Sequence, residues 1–312
     1  MASPAHESDV AGQPATRCSF VAVIGAPNAG KSTLVNHLVG AKVTIVSHKV
    51  QTTRMPVRGI VMEGQSQLVF LDTPGIFKPR RRLDRAMVEA AWAGALEADA
   101  VVLLIDAVRG IDEDVERVLQ RLTEARATKV LVLNKVDKLQ DKKALLDLTT
   151  ALTSRIQFDR VFMVSALTGS GTDDLKAYLG ASAPLGPWHY PEDDISDLSE
   201  RKLAAEITRE KIYARLHEEL PYALTVETLD WKTHKDGSAR IEQTIFVERE
   251  SQRKIVLGKG GSVVKQISME ARAEMAELFG HPVHLFLFVK VRDGWADDPE
   301  RYREMGLEFP KD

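Results

Sequence analysis

Eight residues, GAPNAGKS at Gly25 to Ser32, constrain this chain more than any other feature. They follow the apolar run FVAVI (20–24) and open an amphipathic stretch from Lys31 to Leu38, so the local order is strand, glycine-rich turn, helix. That is G-x-x-x-x-G-K-S in the context it requires. Such a loop surrounds phosphate oxygens with backbone N–H groups at a helix N-terminus, with Lys31 as a point charge and the Ser32 hydroxyl as a ligand for Mg²⁺. The candidate phosphate residues are therefore Gly25, Ala26, Pro27, Asn28, Ala29, Gly30, Lys31, Ser32 and Thr33. A glycine-rich turn without a ligand is the bland alternative, and the full motif with both flanks outweighs it.

The same motif commits the fold. Apolar, β-rich runs recur at FVAVIG (20–25), LVFLDT (68–73), VVLLIDA (101–107), KVLVLNK (129–135) and RVFMVSA (160–166), mostly separated by helical patterns. Continuous Val/Ile/Leu strands between amphipathic helices require a mostly parallel sheet covered on both faces, an α/β doubly wound domain over 19–180. VRGIVMEG and QLVFLD look like an antiparallel pair turning at Glu63-Gly64, which places one edge strand against the others.

A length of 312 residues calls for a second unit. The stretch ASAPLGPWHYPEDD, with Pro184, Pro187 and Pro191 and no hydrophobic period, reads as a linker within 181–196. From 197 to 312 the pattern is a smaller α+β domain. A helix lies within 196–219 and is stopped by Pro221; two strands, YALTVETLDW and ARIEQTIFVERE, turn near Asp236-Gly237; helical sequence around GKGG leads to a last strand, HPVHLFLFVKVR. Trp295, Tyr302, Leu307 and Phe309 in the tail are expected to pack on this second unit. Residues 1–18 read as a mobile leader.

Composition excludes whole classes. With 44% apolar and 28% charged residues the chain buries real cores. Cys18, the sole cysteine, permits no internal disulfide and points to a reducing cytoplasm. No apolar run spans a bilayer, and the first residues lack a signal-peptide core. His281 and His284 face opposite sides of a strand, so no zinc site is expected there. The net charge of −3 discourages wholesale capture of nucleic acid. Residues 1–180 carry 23 basic against 20 acidic side chains, and 181–312 carry 19 against 25, so any nucleic-acid contact must be a local patch.

Further motifs choose among phosphate-handling classes. NKVD, Asn134, Lys135, Val136 and Asp137, sits at the C-terminal end of a strand, where open α/β sheets bind ligands. The Asp137 carboxylate can accept from the N1–H and exocyclic amine of guanine, whereas adenine presents the opposite pattern. Ser165, Ala166 and Leu167 follow the next strand and bring a backbone N–H to the guanine O6. DTPG, Asp72, Thr73, Pro74 and Gly75, places Asp72 to hold Mg²⁺ through water and Gly75 to offer an N–H to a γ-phosphate. In SHKVQTTR (47–54), Thr53, with Thr52 as the alternative, completes the Mg²⁺ shell. Lys31, Thr53 and Gly75 are thus the candidate catalytic groups, Ser32, Thr53 and Asp72 the candidate Mg²⁺ ligands, and no side chain is an evident general base.

The ordered set GAPNAGKS, QTTR, DTPG, NKVD and SAL resembles Ras-like GTPases of the translation-factor class. The resemblance implies a GTP/GDP switch. Ile76 stands where Ras-type enzymes carry the glutamine that orients the attacking water, which implies slow intrinsic hydrolysis. Asn28 occupies a position that in some similar GTPases helps to hold an activating K⁺. KPRRRLDR, with Lys78, Arg80, Arg81, Arg82 and Arg85, is either a solvated face or a nucleotide-dependent RNA contact.

In the second unit, Gly258-Lys259-Gly260-Gly261 lies between a short apolar turn, IVL, and a helix, with a β-rich element before it and a strand after it, which is the KH arrangement. There a G-x-x-G loop clamps the backbone of about four single-stranded nucleotides beside an apolar groove. Arg253, Lys254, Lys259, Lys265 and Arg272 face Glu270 alone over 251–272, a basic patch in an acidic domain. Arg253, Lys254, Lys259 and Lys265, together with Gly258, Gly260 and Gly261, are the candidate RNA contacts. A Ras-like domain followed by a KH domain resembles the Era family, and YPEDDISDLSERKLAAEITREKI, ELPY, VERESQ, PVHL and GWADD extend the match over about 20–312. The family implies a ribosome-assembly GTPase that uses Mg²⁺, holds the 3′ end of 16S rRNA during 30S subunit maturation, and associates peripherally with the inner membrane. A P-loop phosphotransferase and an RNA scaffold with a structural nucleotide are the competing classes, and NKVD speaks against the first. A monomer is expected.

Overall fold

The structure is a computed structural model that describes residues 15–310; most of the leader read from the sequence, residues 1–14, lies outside the described residues. The chain runs β1 (Arg17–Ile24), α1 (Lys31–Val39), β2 (Val57–Glu63), β3 (Ser66–Asp72), α2 (Arg82–Glu97), β4 (Ala100–Asp106), α3 (Glu113–Leu122), β5 (Thr128–Asn134), α4 (Lys142–Thr153), β6 (Arg160–Met163) and α5 (Thr172–Ser182). The first strand therefore begins inside the segment assigned to the leader. The six strands form one sheet in the order β2-β3-β1-β4-β5-β6. Every pairing is parallel except β2 with β3, whose register closes at Glu63 opposite Ser66 across a two-residue turn. The antiparallel strand sits at an edge, as the hairpin pattern indicates.

Burial follows the strand alternation. Val101, Leu103, Ile105, Leu131 and Leu133 face α2, α3 and α4 on one side, whereas Val102, Leu104, Val130 and Val132 face α1 and α5 on the other. A sheet buried on both faces needs the unbroken apolar runs this sequence carries.

The second domain contains α6 (Glu200–Arg215), β7 (Leu224–Thr233), β8 (Ala239–Val247), α7 (Glu250–Leu257), α8 (Ser262–Phe279), β9 (Val283–Val291) and α9 (Pro299–Glu304). Its sheet has the order β7-β8-β9, with the first pair antiparallel and the second parallel. Ser199 caps α6 by accepting from the Lys202 N–H, so the helix starts inside the window read from the sequence. The apolar IVL turn at 255–257 is the last turn of α7, and Gln252 closes a capping box at Arg249 that starts this helix.

Two features join the domains. The proline-rich segment is a strap along β2 and β3: Ile60 donates to Ile195 O at 2.9 Å, and Gln67 Oε1 accepts from the backbone N–H of His189 at 2.8 Å and Tyr190 at 3.0 Å. Three prolines leave it no helix or strand of its own, so it satisfies its backbone on the neighbouring sheet edge. The tail packs differently from expectation. Trp295, Tyr302 and Leu307 bury against Leu83, Ala86 and Met87 of α2, and the Trp295 indole donates to Ala223 O at 3.3 Å. The reason lies in α2, which carries two apolar stripes: Val88, Ala91, Trp92 and Ala95 face the sheet, and Leu83, Ala86, Met87 and Ala90 face the tail.

Candidate nucleotide site and nucleic-acid groove

A cleft of about 330 Å³ opens at the C-terminal ends of β1, β3 and β5, lined by Pro27, Asn28, Lys31, Ser32, Thr33, Thr53, Gly75, Asn134, Asp137, Ala166 and Leu167 among others. The phosphate loop turns through Gly30 at φ 101°, where a Cβ would lie 2.3 Å from Asn134 Nδ2. Only glycine fits that approach. Lys31 Nζ donates to Gly25 O and Ala26 O, both at 3.1 Å, from a buried position. Burial pushes its ammonium down to about 8, with Asp72 partly restoring it.

The three candidate Mg²⁺ ligands converge. Asp72 Oδ2 accepts from Ser32 Oγ at 2.8 Å and from Thr53 Oγ1 at 3.1 Å, and the two hydroxyls are 3.0 Å apart. Thr44, absent from the sequence reading, adds a third hydroxyl at 2.9 Å. Burial raises the Asp72 carboxyl above its ordinary range, against the pull of Ser32 and Lys31. Its Oδ1 is buried without a partner. An orphaned carboxylate oxygen among hydroxyls is a set of hard oxygen donors and fits Mg²⁺.

The base end is assembled by Asn134. Its Nδ2 donates to Ala29 O at 2.8 Å and its Oδ1 accepts from the Ala166 N–H at 2.9 Å, so one amide ties the phosphate loop to the Ser165–Leu167 loop. Lys135 donates to Asn28 O at 2.7 Å and to Asp106 Oδ2 at 2.6 Å, a second link through an aspartate the motifs do not reveal. Val136 begins the short turn that carries Asp137 to the cleft. Thr73 is spent on Val23 O at 2.8 Å, and Pro74 is buried. Ile76 is 2% exposed within the core under α2, and its apolar side chain offers no group to orient water.

On the second domain, Gly258, Gly260 and Gly261 all take positive φ, and Lys259 projects into solvent with Lys254 and Lys265. A Cβ on Gly258 would lie 2.4 Å from Val263 Cγ2. Between α8 and β9 a groove of about 250 Å³ is lined by Val264, Lys265, Ser268, Met269, Arg272, Leu285 and Leu287. Arg253 differs from its neighbours: its guanidinium donates to Val289 O at 3.2 Å and pairs with Glu250 at 2.8 Å, which holds α7 on β9. A larger cleft of about 900 Å³ runs between the domains, walled by Arg81, Arg82, residues 215–220, Arg249, Ile255, Val263 and Trp295. Of the basic run, Arg81 pairs there with Glu219 at 3.2 Å and Arg82 with Asp297 at 3.3 Å. Gln51 lines both this cleft and the nucleotide cleft.

Among the described residues no cluster of histidine, cysteine, aspartate and glutamate is grouped to hold a metal on its own, and no helix is long and apolar enough to cross a membrane.

Fold and site together define a P-loop GTPase domain joined to a KH domain. A family model described as 50S ribosome-binding GTPase matches residues 20–135, and a KH domain model matches 219–296. The GTPase Era of Rhizobium meliloti is 64% identical over 306 residues, 98% of this chain and 97% of that protein, and that of Bradyrhizobium sp. (strain ORS 278) is 62% identical over 302 residues, 97% of this chain and 98% of that protein. Two solved structures superpose with a TM-score of 0.88 at 37% identity, covering 93% of this chain and 99% of theirs: Era with MgGDPNP and nucleotides 1506–1542 of 16S ribosomal RNA, and a single-residue variant of Aquifex aeolicus Era bound to GDP·AlF4⁻. The chain belongs to the Era family of GTPases.

Proposed function

We propose that this protein is a GTP-hydrolysing switch that binds the 3′ end of 16S rRNA through its KH groove and assists assembly and maturation of the 30S subunit. The observation that carries the catalytic half is Asp72, whose buried Oδ1 stands open while Ser32 and Thr53 crowd Oδ2. Ser32, Thr53 and Asp72 hold Mg²⁺, which neutralises developing phosphate charge when bound. Lys31 supplies charge to the phosphates, the Gly75 N–H meets the γ-phosphate, and Asp137 reads guanine with the Ala166 N–H beside it. Residues 17–180 form the nucleotide domain, 181–196 the linker and 197–312 the RNA-binding domain with its tail. The G-x-x-G loop, with Lys254, Lys259 and Lys265 exposed beside the groove, suits single-stranded RNA; Arg253 serves that site by fixing α7.

Asn28 is exposed in the phosphate loop at φ 63°, with its carbonyl taken by Lys135 and its side chain at the cleft, a placement that suits a K⁺ ion beside the phosphates. Equal turnover in KCl and NaCl would remove that role. We place the protein in the cytoplasm as a monomer with peripheral association at the inner membrane.

The test is GTP turnover by purified protein with and without an RNA fragment ending in the 16S 3′ sequence. Slow basal turnover that rises with this RNA, and is lost in Lys31→Ala, supports the reading. Turnover no greater than that of Lys31→Ala under both conditions replaces it with an RNA scaffold carrying a structural nucleotide.

A further inference from the structure

The segment that carries Thr53 is gripped from the other domain. The Gln51 carbonyl accepts from Tyr213 Oη at 3.3 Å, and the Thr52 carbonyl accepts from Arg209 Nη2 at 2.5 Å. Val46 N–H donates to Glu210 Oε1 at 2.8 Å. Glu206, Arg209, Glu210 and Tyr213 recur at three- and four-residue intervals along α6, so one helical stripe engages the whole segment. Glu206 pairs with Arg209, and although burial opposes the charge, Glu206 and Tyr213 together hold this guanidinium above the ordinary arginine range.

On the other side of Thr53, Arg54 leaves its own domain. Its Nη1 donates to Leu224 O at 2.7 Å, and its Nη2 lies 3.2 Å from Pro221 O, 3.3 Å from Tyr222 O and 3.3 Å from Tyr213 Oη. Arg54 is 3% exposed and Arg209 2% exposed. The carbonyls that Arg54 grips belong to the 220–224 segment, and residues 220, 222 and 223 wall the larger cleft between the domains. Thr53 is thus flanked at both peptide neighbours by buried guanidinium contacts to the second domain.

We propose that the second domain completes the γ-phosphate site in cis, with Arg209 and Arg54 as positioning residues that fix the backbone on either side of Thr53. The inference rests on the reading of Thr53 as a Mg²⁺ and γ-phosphate contact. A threonine on an ordinary solvent-exposed loop is ordered only when the triphosphate and Mg²⁺ arrive, so ordering opposes binding. Here α6 and the 220–224 segment hold the backbone on either side of Thr53 through the protein's own contacts, which lowers the ordering left to the ligand. GDP lacks the γ-phosphate and does not use Thr53, so the anchors favour the triphosphate selectively. The same contacts make the 220–224 wall responsive to whether Thr53 is engaged, and displacement of that wall loosens Thr53 in return.

The test uses the full chain with Arg209→Met, which keeps the aliphatic stem, and Tyr213→Phe, which removes one hydroxyl and preserves packing if the arginine variant folds poorly. Affinities for a non-hydrolysable GTP analogue and for GDP are measured across a Mg²⁺ titration, with Thr53→Ala beside them. The expected result is a loss of roughly tenfold in analogue affinity for Arg209→Met, with a higher Mg²⁺ requirement and GDP affinity unchanged, on the scale of one charge-assisted hydrogen bond. Arg209→Lys recovers part of the loss. If Thr53→Ala leaves the analogue-to-GDP preference intact, the reading of Thr53 is wrong. If Thr53→Ala abolishes that preference while Arg209→Met and Tyr213→Phe retain it, the positioning role is wrong and the reading of Thr53 stands. Equal losses for GDP and analogue in the variants also overturn the proposal, because they report general loosening.

Discussion

Replacing Lys31 by methionine should stabilise the nucleotide-free protein while destroying nucleotide binding. Lys31 sits buried in the phosphate loop, and burial pushes its ammonium from 10.5 to about 8. That shift corresponds to about 3 kcal/mol of unfavourable charge burial at neutral pH. Methionine removes the charge and keeps most of the volume, but it leaves Gly25 O and Ala26 O without their donor, at about 1 kcal/mol each. The net gain is therefore roughly 1 kcal/mol, or roughly 2 to 4 °C in Tm for a domain of this size. The sign is fixed by linkage. A lysine whose folded pKa is lowered destabilises fully below that pKa, and the penalty fades as pH rises through about 8 toward 10.5. The wild-type and Lys31→Met melting curves, taken without nucleotide between about pH 6.5 and 10, should therefore converge and then cross as pH increases, because the neutral amine still donates to both carbonyls. A variant less stable than wild type at neutral pH, or a gap that does not close with pH, refutes the view that the loop holds a strained charge awaiting phosphate.

Asp137→Asn should weaken guanine nucleotides by about 100-fold or more, since the amide presents a donor to the guanine N1–H, and should improve xanthine nucleotides; competition binding against labelled GDP reads both. Gly258 has φ 72° and ψ 175° with Val263 Cγ2 in the place of a Cβ, so Gly258→Ala should cost about 1 to 3 kcal/mol locally and lower RNA affinity without changing GDP binding, as read by filter binding and nucleotide titration. Trp295→Ala removes the largest buried side chain between α2 and the tail and should cost about 3 to 5 kcal/mol by denaturant titration, with the two domains losing a common transition.

The doubly wound sheet and the edge hairpin were legible because they are written as local periods: unbroken apolar strands, helical spacing between them, and a glycine at the hairpin turn. The nucleotide site was legible for a related reason, since each motif is a short loop at the end of one strand and the strand order then superposes them. Thr44 and Asp106 escaped because a lone threonine or aspartate at a loop mouth has no local pattern; each acquires its role only when Asp72 or Lys135 arrives from elsewhere in the chain. Arg54 and Arg209 escaped for the same reason at longer range, as their partners lie more than 150 positions away. One missed feature had left a trace. LDRAMVEAAWAGAL in α2 is apolar around more of its circumference than one covered face requires, which signals the second surface that the tail occupies.

The most direct test of the account is crosslinking of the protein to precursor 30S particles, with bound RNA mapped in the presence of GDP and of a non-hydrolysable GTP analogue. The account predicts crosslinks from the 258–265 loop and helix start to the 3′ end of 16S rRNA, stronger in one nucleotide state than in the other. Crosslinks that fall outside small-subunit rRNA, or that are identical in the two states, would contradict it.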